Sequence, residues 1–520
     1  MVIGWCVGAP EVHMFGVKAI SHAAQPDCRK QKALNRNCHL PHSPTISAIC
    51  FTSGFFLMNT KKPEVKHIAD IVGEWGKWQF LFSAFCFLQS GCAAFINMGY
   101  GFHAKHVDFW CADTPTNLTS QHLSDSIKCH KYNYPNESCT HWEYNRTQFR
   151  KTIITEFDLV CDRASYASLT QSFFMLGYVV SGLIISYYGD KYGRRPMRAL
   201  FLLECCGPKH RSDIAILAGI GWVLGYVLLP GIAYLLPDFR YMQFIGAVLT
   251  IVMLIWFYYL HESPRWQLAN GQVDKAEVVI KKALQQNGKS VDNLNKQLTQ
   301  LATNMGALSD NKNDKNHNII DLVRTPNLRK YTLIIWYSWI VNALIYYGLS
   351  FNMSDFGGNF YVTFLLSGLI ELPSQLLTPI FLRYIGRRKL YAIFMAITAV
   401  SLVAVIPSQS SWLRVLFALL SKYGIQSAWN VFFVHASEIY PTVIRSTGRG
   451  VASVVGRIGS IASPFMGDLK LLTSLSFVMI LYGVLTAVGA ILGLYLPETK
   501  DKEMPDTIEE AENLGTKNII

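Results

Sequence analysis

Charge is what this sequence is shortest of. Only 16% of its 520 residues are Asp, Glu, Lys or Arg, where soluble globular domains carry about 25%. Acidic residues are the scarcer kind, 35 against 47 Lys and Arg, which leaves a formal net charge of +12. With 51% apolar residues and a mean hydropathy of +0.21, the chain is too apolar to be disordered. Twelve cysteines among 520 residues are too few for a small disulfide scaffold, and the 37 glycines are too few for collagen. The sequence also lacks a P-loop, so nothing supports ATP-driven transport. It has no hydrolase or redox constellation, and neither an enzyme nor a cofactor is expected. His103, His106 and Cys111 lack a spaced partner pair and read as loop residues rather than metal ligands.

What is present is apolar residues in blocks of about 20, the length that spans a bilayer. There are ten: Phe80–Phe102, Tyr166–Tyr188, Ile214–Leu236, Tyr241–Leu260, Tyr331–Phe351, Phe356–Leu382, Leu390–Pro407, Trp412–Val434, Gly448–Gly467 and Thr473–Leu496. The fold class is therefore an all-α polytopic membrane protein, four spans plus six around a polar stretch at 261–330 that reads as cytosolic linker helices. One of these, Val273 to Leu284, has apolar residues at helical spacing with lysines opposite and reads as a surface helix. The lipid bilayer is thus one partner. The basic excess belongs to helix ends facing the cytosol rather than to a nucleic-acid surface.

Two signals orient the spans. The loop 103–163 holds Cys111, Cys129, Cys139 and Cys161 and three glycosylation sequons, at Asn117, Asn136 and Asn145. Sequons and paired cysteines belong outside the cytosol. Four cysteines allow three pairings, and the sequence does not choose among them. Basic residues cluster at the other ends of the spans: Lys61, Lys62, Lys66 and Lys77, then Lys191 to Arg211, then Arg383 to Lys389. Both termini come out cytosolic. The segment 1–57 reads as a disordered leader or as absent from the mature product, with Met58 an alternative start. The first half then runs over 58–260, the second over 331–496, and 497–520 is a cytosolic tail.

Just inside the second span lies Gly189-Asp190-Lys191-Tyr192-Gly193-Arg194-Arg195, and a weaker copy, Gly386-Arg387-Arg388-Lys389, sits at the matching place in the second half. This points to an internal duplication, as in carriers whose substrate site lies between two repeats. Further motifs are Phe157-Asp158-Leu159-Val160-Cys161, Glu262-Ser263-Pro264-Arg265-Trp266, Ser354-Asp355-Phe356-Gly357-Gly358-Asn359, Glu438 to Arg445, Leu496-Pro497-Glu498-Thr499 and Pro505 to Ile508. Together they resemble solute carrier family 22 of the major facilitator superfamily, the organic cation, organic anion and carnitine transporters. The resemblance runs from about Val65 to Glu512. It implies a plasma-membrane carrier for a small organic ion, working by alternating access, with Gly189, Asp190, Gly193, Arg194 and Arg195 as its cytoplasmic gating motif.

The family has twelve spans. Only Met197 to Leu203 separates the Gly-Arg-Arg loop from Glu204-Cys205-Cys206-Gly207-Pro208, a motif that in the family closes the fourth helix. Seven helical residues cover about 10 Å, a third of the bilayer core. The resemblance therefore implies that two helices are missing, one of which lines the family's central cavity. The chain is then either a real ten-span form that transports poorly or not at all, or an incomplete reading of a longer gene.

Charges inside spans cost several kcal/mol unless paired or hydrated, so they are functional candidates. Arg457 lies mid-span between Gly456 and Gly459, which leave room for a ligand or for close helix packing. It either pairs with an internal acid or binds a substrate carboxylate. By the resemblance, anion and carnitine carriers have arginine here and cation carriers aspartate, so substrates with a negative group are favoured and cations are the alternative. Glu371 and Lys422 read as an ion pair. Otherwise Glu371 takes a cationic head group or a proton. Tyr346 and Tyr347 resemble cavity positions able to box a quaternary ammonium. Asn342, one turn earlier, is a candidate hydrogen-bonding contact.

Overall fold

The computed structural model describes residues 67–73, 75–114, 128–131, 134–192, 211–259, 262–290, 293–304, 319–502 and 504–514. The leader, Asn117, Gly193, Arg194, Arg195 and the junction at Leu203 to Cys206 lie outside the described residues. So do the side chains of Asn136, Gly189 and Asp190.

The elements follow the apolar blocks. A short helix α1 (Ile68–Val72) precedes α2 (Lys77–Met98), which continues as α3 (Tyr100–His103). The loop carries strands β1 (Phe109–Cys111), β2 (His130–Lys131), β3 (Tyr134–Ser138) and β4 (Trp142–Tyr144), paired antiparallel as β1–β4 and β2–β3, then helix α4 (Ile153–Phe157). Two disulfides choose among the three pairings: Cys111–Cys139 and Cys129–Cys161. Helices α5 (Ser165–Tyr192), α6 (Arg211–Leu235) and α7 (Phe239–Tyr259) complete the first set.

The connecting helices are α8 (Pro264–Ala269), α9 (Val273–Gln286), α10 (Leu294–Asn304) and α11 (Asp321–Arg324). Amphipathic α9 buries Ala276, Val279, Ile280, Ala283 and Leu284, in one cluster with Trp78, Phe82 and Phe85 of α2. The second set comprises α12 (Pro326–Phe351), α13 (Phe360–Leu369), α14 (Glu371–Tyr384), α15 (Arg387–Ala404), α16 (Ser411–Ile439), α17 (Arg445–Ala462), α18 (Phe465–Leu472) and α19 (Leu475–Gly493), and α20 (Ile508–Glu512) ends the order.

Among the described residues, six helical stretches are long and apolar enough to cross a membrane, including Pro326–Phe351 and Phe360–Tyr384. Two expected spans are interrupted. Pro373 has no N–H to give the carbonyl four residues back, and the helix breaks at Ile370, which makes Glu371 the first residue of α14. Pro464 does the same between α17 and α18.

In the first set α2 crosses α6 closely, and in the second α12 crosses α17 and α15 packs between α16 and α19. The two sets meet along two seams, α5 against α17 and α6 against α13 and α14. At the end bearing the disulfide loop the seams are shut. The Ser172 hydroxyl donates to the Ile461 carbonyl at 2.8 Å, Phe102 packs edge-on against Phe360 and Phe364, and the Tyr361 hydroxyl donates to the Gln148 carbonyl. At the opposite end, Glu438 takes both Arg387 Nε and Nη2 at 3.1 Å and the Thr499 hydroxyl at 2.6 Å, which ties α15, α16 and the tail together.

Candidate functional site

Two polar clusters sit within the helices. The first forms around the break before α14. Glu371 and Lys422 are both wholly buried, with Glu371 Oε1 3.2 Å from Lys422 Nζ. The Tyr346 hydroxyl donates to the same Oε1 at 2.8 Å and itself accepts from Trp222 Nε1 at 2.9 Å. Lys422 also reaches the Ser350 hydroxyl and the Tyr346 carbonyl, and its ammonium lies 3.3 Å from the centre of the Tyr346 ring and 5.5 Å from that of Tyr226. The Tyr226 hydroxyl shares a 3.0 Å hydrogen bond with Ser367. Glu371 Oε2 has no hydrogen-bond partner among the described residues. Two charges taken out of water are held here by mutual attraction and several hydrogen bonds, the arrangement a buried pair needs to offset desolvation. A carboxylate at the start of α14 also faces the positive end of the helix dipole.

The second cluster lies at the α5–α17 seam. The Arg457 guanidinium stands 5.0 Å from the centre of the Tyr178 ring, and the Tyr178 hydroxyl accepts from Asn97 at 2.9 Å. Gly456 and Gly459 face away from this seam. A Cβ on Gly456 would come within 3.2 Å of Trp339, and one on Gly459 within contact distance of the Ile340 carbonyl. The glycines let α17 press against the backbone of α12.

The structure thus brings Tyr346 together with Glu371 and Lys422, while Arg457 sits in the other cluster. Tyr347 packs edge-on against Tyr346 at 5.2 Å, and Asn342 donates to the Ser338 carbonyl at 2.8 Å and approaches the Tyr391 hydroxyl of α15 at 3.5 Å. Trp222 and Tyr226, one turn apart on α6, escaped the sequence reading, as did Asn97 and Tyr178. Polar aromatics at i, i+4 inside an apolar span were the available signal.

The architecture matches solved structures of the E. coli xylose transporter XylE. The inward-open form gives a TM-score of 0.55 at 14% identity, covering 84% of this chain and 100% of that one. The major facilitator superfamily proton:xylose symporter XylE bound to 6-bromo-6-deoxy-D-glucose gives 0.53 at 16% identity, covering 83% and 98%. These likenesses show the fold. The family model for sugar (and other) transporters matches residues 197–510. The organic cation transporter protein of Drosophila melanogaster is 31% identical over 463 residues, covering 78% of this chain and 82% of the relative. Mouse (Mus musculus) solute carrier family 22 member 3 is 30% identical over 453 residues, covering 78% and 80%.

This chain belongs to solute carrier family 22.

As a family 22 chain of the major facilitator superfamily it is a multi-pass membrane transporter of small organic substrates, not an enzyme. The alignment to the Drosophila relative spans 463 positions, but 78% of 520 residues is only about 406, so about 57 positions of the relative face no residue here. That is room for two membrane helices of about 20 residues and a turn.

Proposed function

We propose that this family 22 chain serves carriage of small organic ions bearing a negative group, anions or carnitine-like zwitterions, by alternating access between its two helix sets. Arg457 carries the reading. Its guanidinium sits at the seam between the sets, beside Tyr178, where a carboxylate would be bound in two-pronged fashion. Asn342, Tyr346 and Tyr347 are proposed as further substrate contacts and Glu371–Lys422 as a structural pair. Gly189, Asp190, Gly193, Arg194 and Arg195 are proposed as the cytoplasmic gating motif. The site is proposed to work in the plasma membrane, with both termini cytosolic and the loop 103–163 extracellular. Asn145 supports the last point, since its side chain is half-exposed and its Oδ1 accepts from the Thr147 amide and hydroxyl of its own sequon.

A cation reading has its own support. One relative named above is an organic cation transporter protein, and the Tyr226 and Tyr346 rings already lie against an ammonium beside Glu371. A transport-incompetent form is favoured by the unmatched positions and by α7, of whose span only 17% is buried.

The experiment is uptake of a labelled organic anion, carnitine and an organic cation, measured beside surface abundance. The chain as it stands is expected to transport poorly, and a form with two helices restored between Leu203 and Cys205 to transport. In the restored form Arg457→Asp should abolish anion and carnitine uptake, and Arg457→Lys should weaken it. Normal anion uptake by surface-expressed Arg457→Asp would make Arg457 an internal ion-pair residue.

A further inference from the structure

The disulfide loop is fastened to one helix set and pressed against the other. Its segment after β4, at 148–151, is tied to the turn between α6 and α7. The Arg150 amide donates to the Pro237 carbonyl at 3.0 Å, the Phe239 amide donates to the Lys151 carbonyl at 3.2 Å, and Lys151 forms a parallel bridge with Asp238. Glu156 of α4 adds ion pairs to Lys151 at 3.3 Å and to Arg240 of α7 at 2.5 Å. Cys139 and Cys161, both disulfide-bonded, flank the segment and hold it to the rest of the loop. It therefore moves with the first set.

The opposite face of this segment meets α13 of the second set. The Phe149 side chain, 5% exposed, stacks on the Tyr361 ring with centres 5.6 Å apart and planes 18° apart, and meets the Phe360 ring edge-on at 5.7 Å. The Tyr361 hydroxyl donates to the Gln148 carbonyl at 3.2 Å. Asn359 caps α13 by accepting from the Tyr361 and Val362 amides, which fixes where the two rings stand. Tyr234, at the end of α6, closes edge-on against Tyr361 at 5.5 Å, and Lys105 Nζ lies 4.5 Å from the centre of the Phe360 ring. Apart from the cap, each contact joins a residue of the first set or its loop to a residue of the second set. Parting the sets at this end must break them, and aromatic pairs in such geometry stabilise the shut state beyond their buried area.

We propose that Gln148 and Phe149 form a latch for the disulfide-loop end, holding Phe360 and Tyr361 and so setting how often that end opens. The inference rests on the alternating access proposed above. It assigns the loop a part in the conformational cycle, through one backbone carbonyl and one aromatic side chain.

The test follows a reporter thiol in the full chain in nanodiscs. Ser367 of α13 is wholly buried and shares its hydrogen bond with Tyr226 of α6 across the same seam, about 10 Å along α13 from Phe360 at 1.5 Å per residue. Ser367→Cys should react slowly with a polar maleimide, above the background of the parent's own cysteines, at a rate that follows the open fraction. Adding Phe149→Ala or Tyr361→Ala should raise that rate about ten-fold. Tyr361→Phe, which keeps the ring and loses the hydroxyl, should raise it about three-fold and covers the case in which an alanine variant fails to fold. Phe149→Ala and Tyr361→Ala combined should gain little over either alone, because the two side chains share one contact. Two controls bracket these variants. Gly101→Leu wedges a side chain against Phe364 across the seam and should raise labelling, whereas Gly493→Ala crowds Tyr391 inside the second set and should not. The latch is overturned if Gly101→Leu raises labelling while the Phe149 and Tyr361 variants do not. A double variant that sums its two singles, or a rise with Gly493→Ala as large as with Phe149→Ala, would overturn it too. No rise even with Gly101→Leu would remove alternating access at this end, and the latch with it.

Discussion

Lys422 and Glu371 set the terms at the scale of single residues. Neither side chain has any exposed surface, and they share Oε1 of Glu371 with the Tyr346 hydroxyl. Removing one partner leaves the other charged in a low-dielectric interior, which costs about 3–5 kcal/mol, whereas replacing both with apolar groups of similar volume is often near neutral. Lys422→Met and Glu371→Leu singly should therefore lower thermal stability in detergent by several degrees. The double variant should recover most of that loss. A double variant no better than the worse single would mean that each residue is held by its other contacts, Ser350 for the lysine and Tyr346 for the glutamate.

At the scale of elements, the α2–α6 crossing and the start of α12 are the sensitive points. Gly221 and Gly225 form a small-xxx-small face on α6 that meets Phe87 and Gly91 of α2. A Cβ on Gly225 would fall inside contact distance of the Gly91 carbonyl, and backbone cannot rotate aside as a side chain does. Gly225→Val should destabilise by about 1–3 kcal/mol. Gly231→Ala on the same helix meets nothing within 4 Å and should be neutral or stabilising by about 0.4–1 kcal/mol. Melting the two variants side by side tests the crossing. The first turn of α12 is capped from the tail: the Asn327 and Leu328 amides donate to the Glu512 carboxylate at 2.7 and 3.0 Å. Partial burial opposes ionisation of Glu512, but these amide bonds hold its pKa below the usual 4.5. The folded state thus binds fewer protons there than the unfolded one, so the cap's contribution is full above pH 4.5 and fades as pH falls below it. Glu512→Ala should cost about 1 kcal/mol at pH 7 and remove this acid sensitivity, read as Tm against pH.

For the whole molecule, orientation and completeness are the open quantities with direct readouts. Treatment with an N-glycosidase should lower the apparent mass of the surface-delivered chain, because the sequons share a loop with two disulfides. An unchanged mass would reverse the proposed sidedness of every span. Completeness shows in the asymmetry of the two sets. In the second set α15 and α16 pack against one another and against neighbouring helices. On the first set the flank of α7 leaves Phe244, Ile251, Leu254 and Ile255 more than half exposed. This bare flank is apolar surface that two further helices could cover.

Apolar blocks of about 20 residues determine spans without reference to anything distant, because each must satisfy its own backbone hydrogen bonds in lipid. The helical membrane architecture, the linker helix at Val273 and the family could accordingly be read from the sequence. So could the presence of charges that need partners, because their cost is set by depth alone. Only the tertiary structure decided which groups meet. Cys111 pairs with Cys139 rather than Cys129, Trp222 reaches Tyr346 across 124 residues, and Gly456 and Gly459 serve helix contact with α12 and not the space beside Arg457. The break that makes Glu371 the first residue of α14 was latent in Pro373, but the meaning of that position came from Lys422 arriving on another helix. Local periodicity carries no information on such meetings. They depend on how helix faces rotate and cross, which is settled by close packing between segments far apart in the chain.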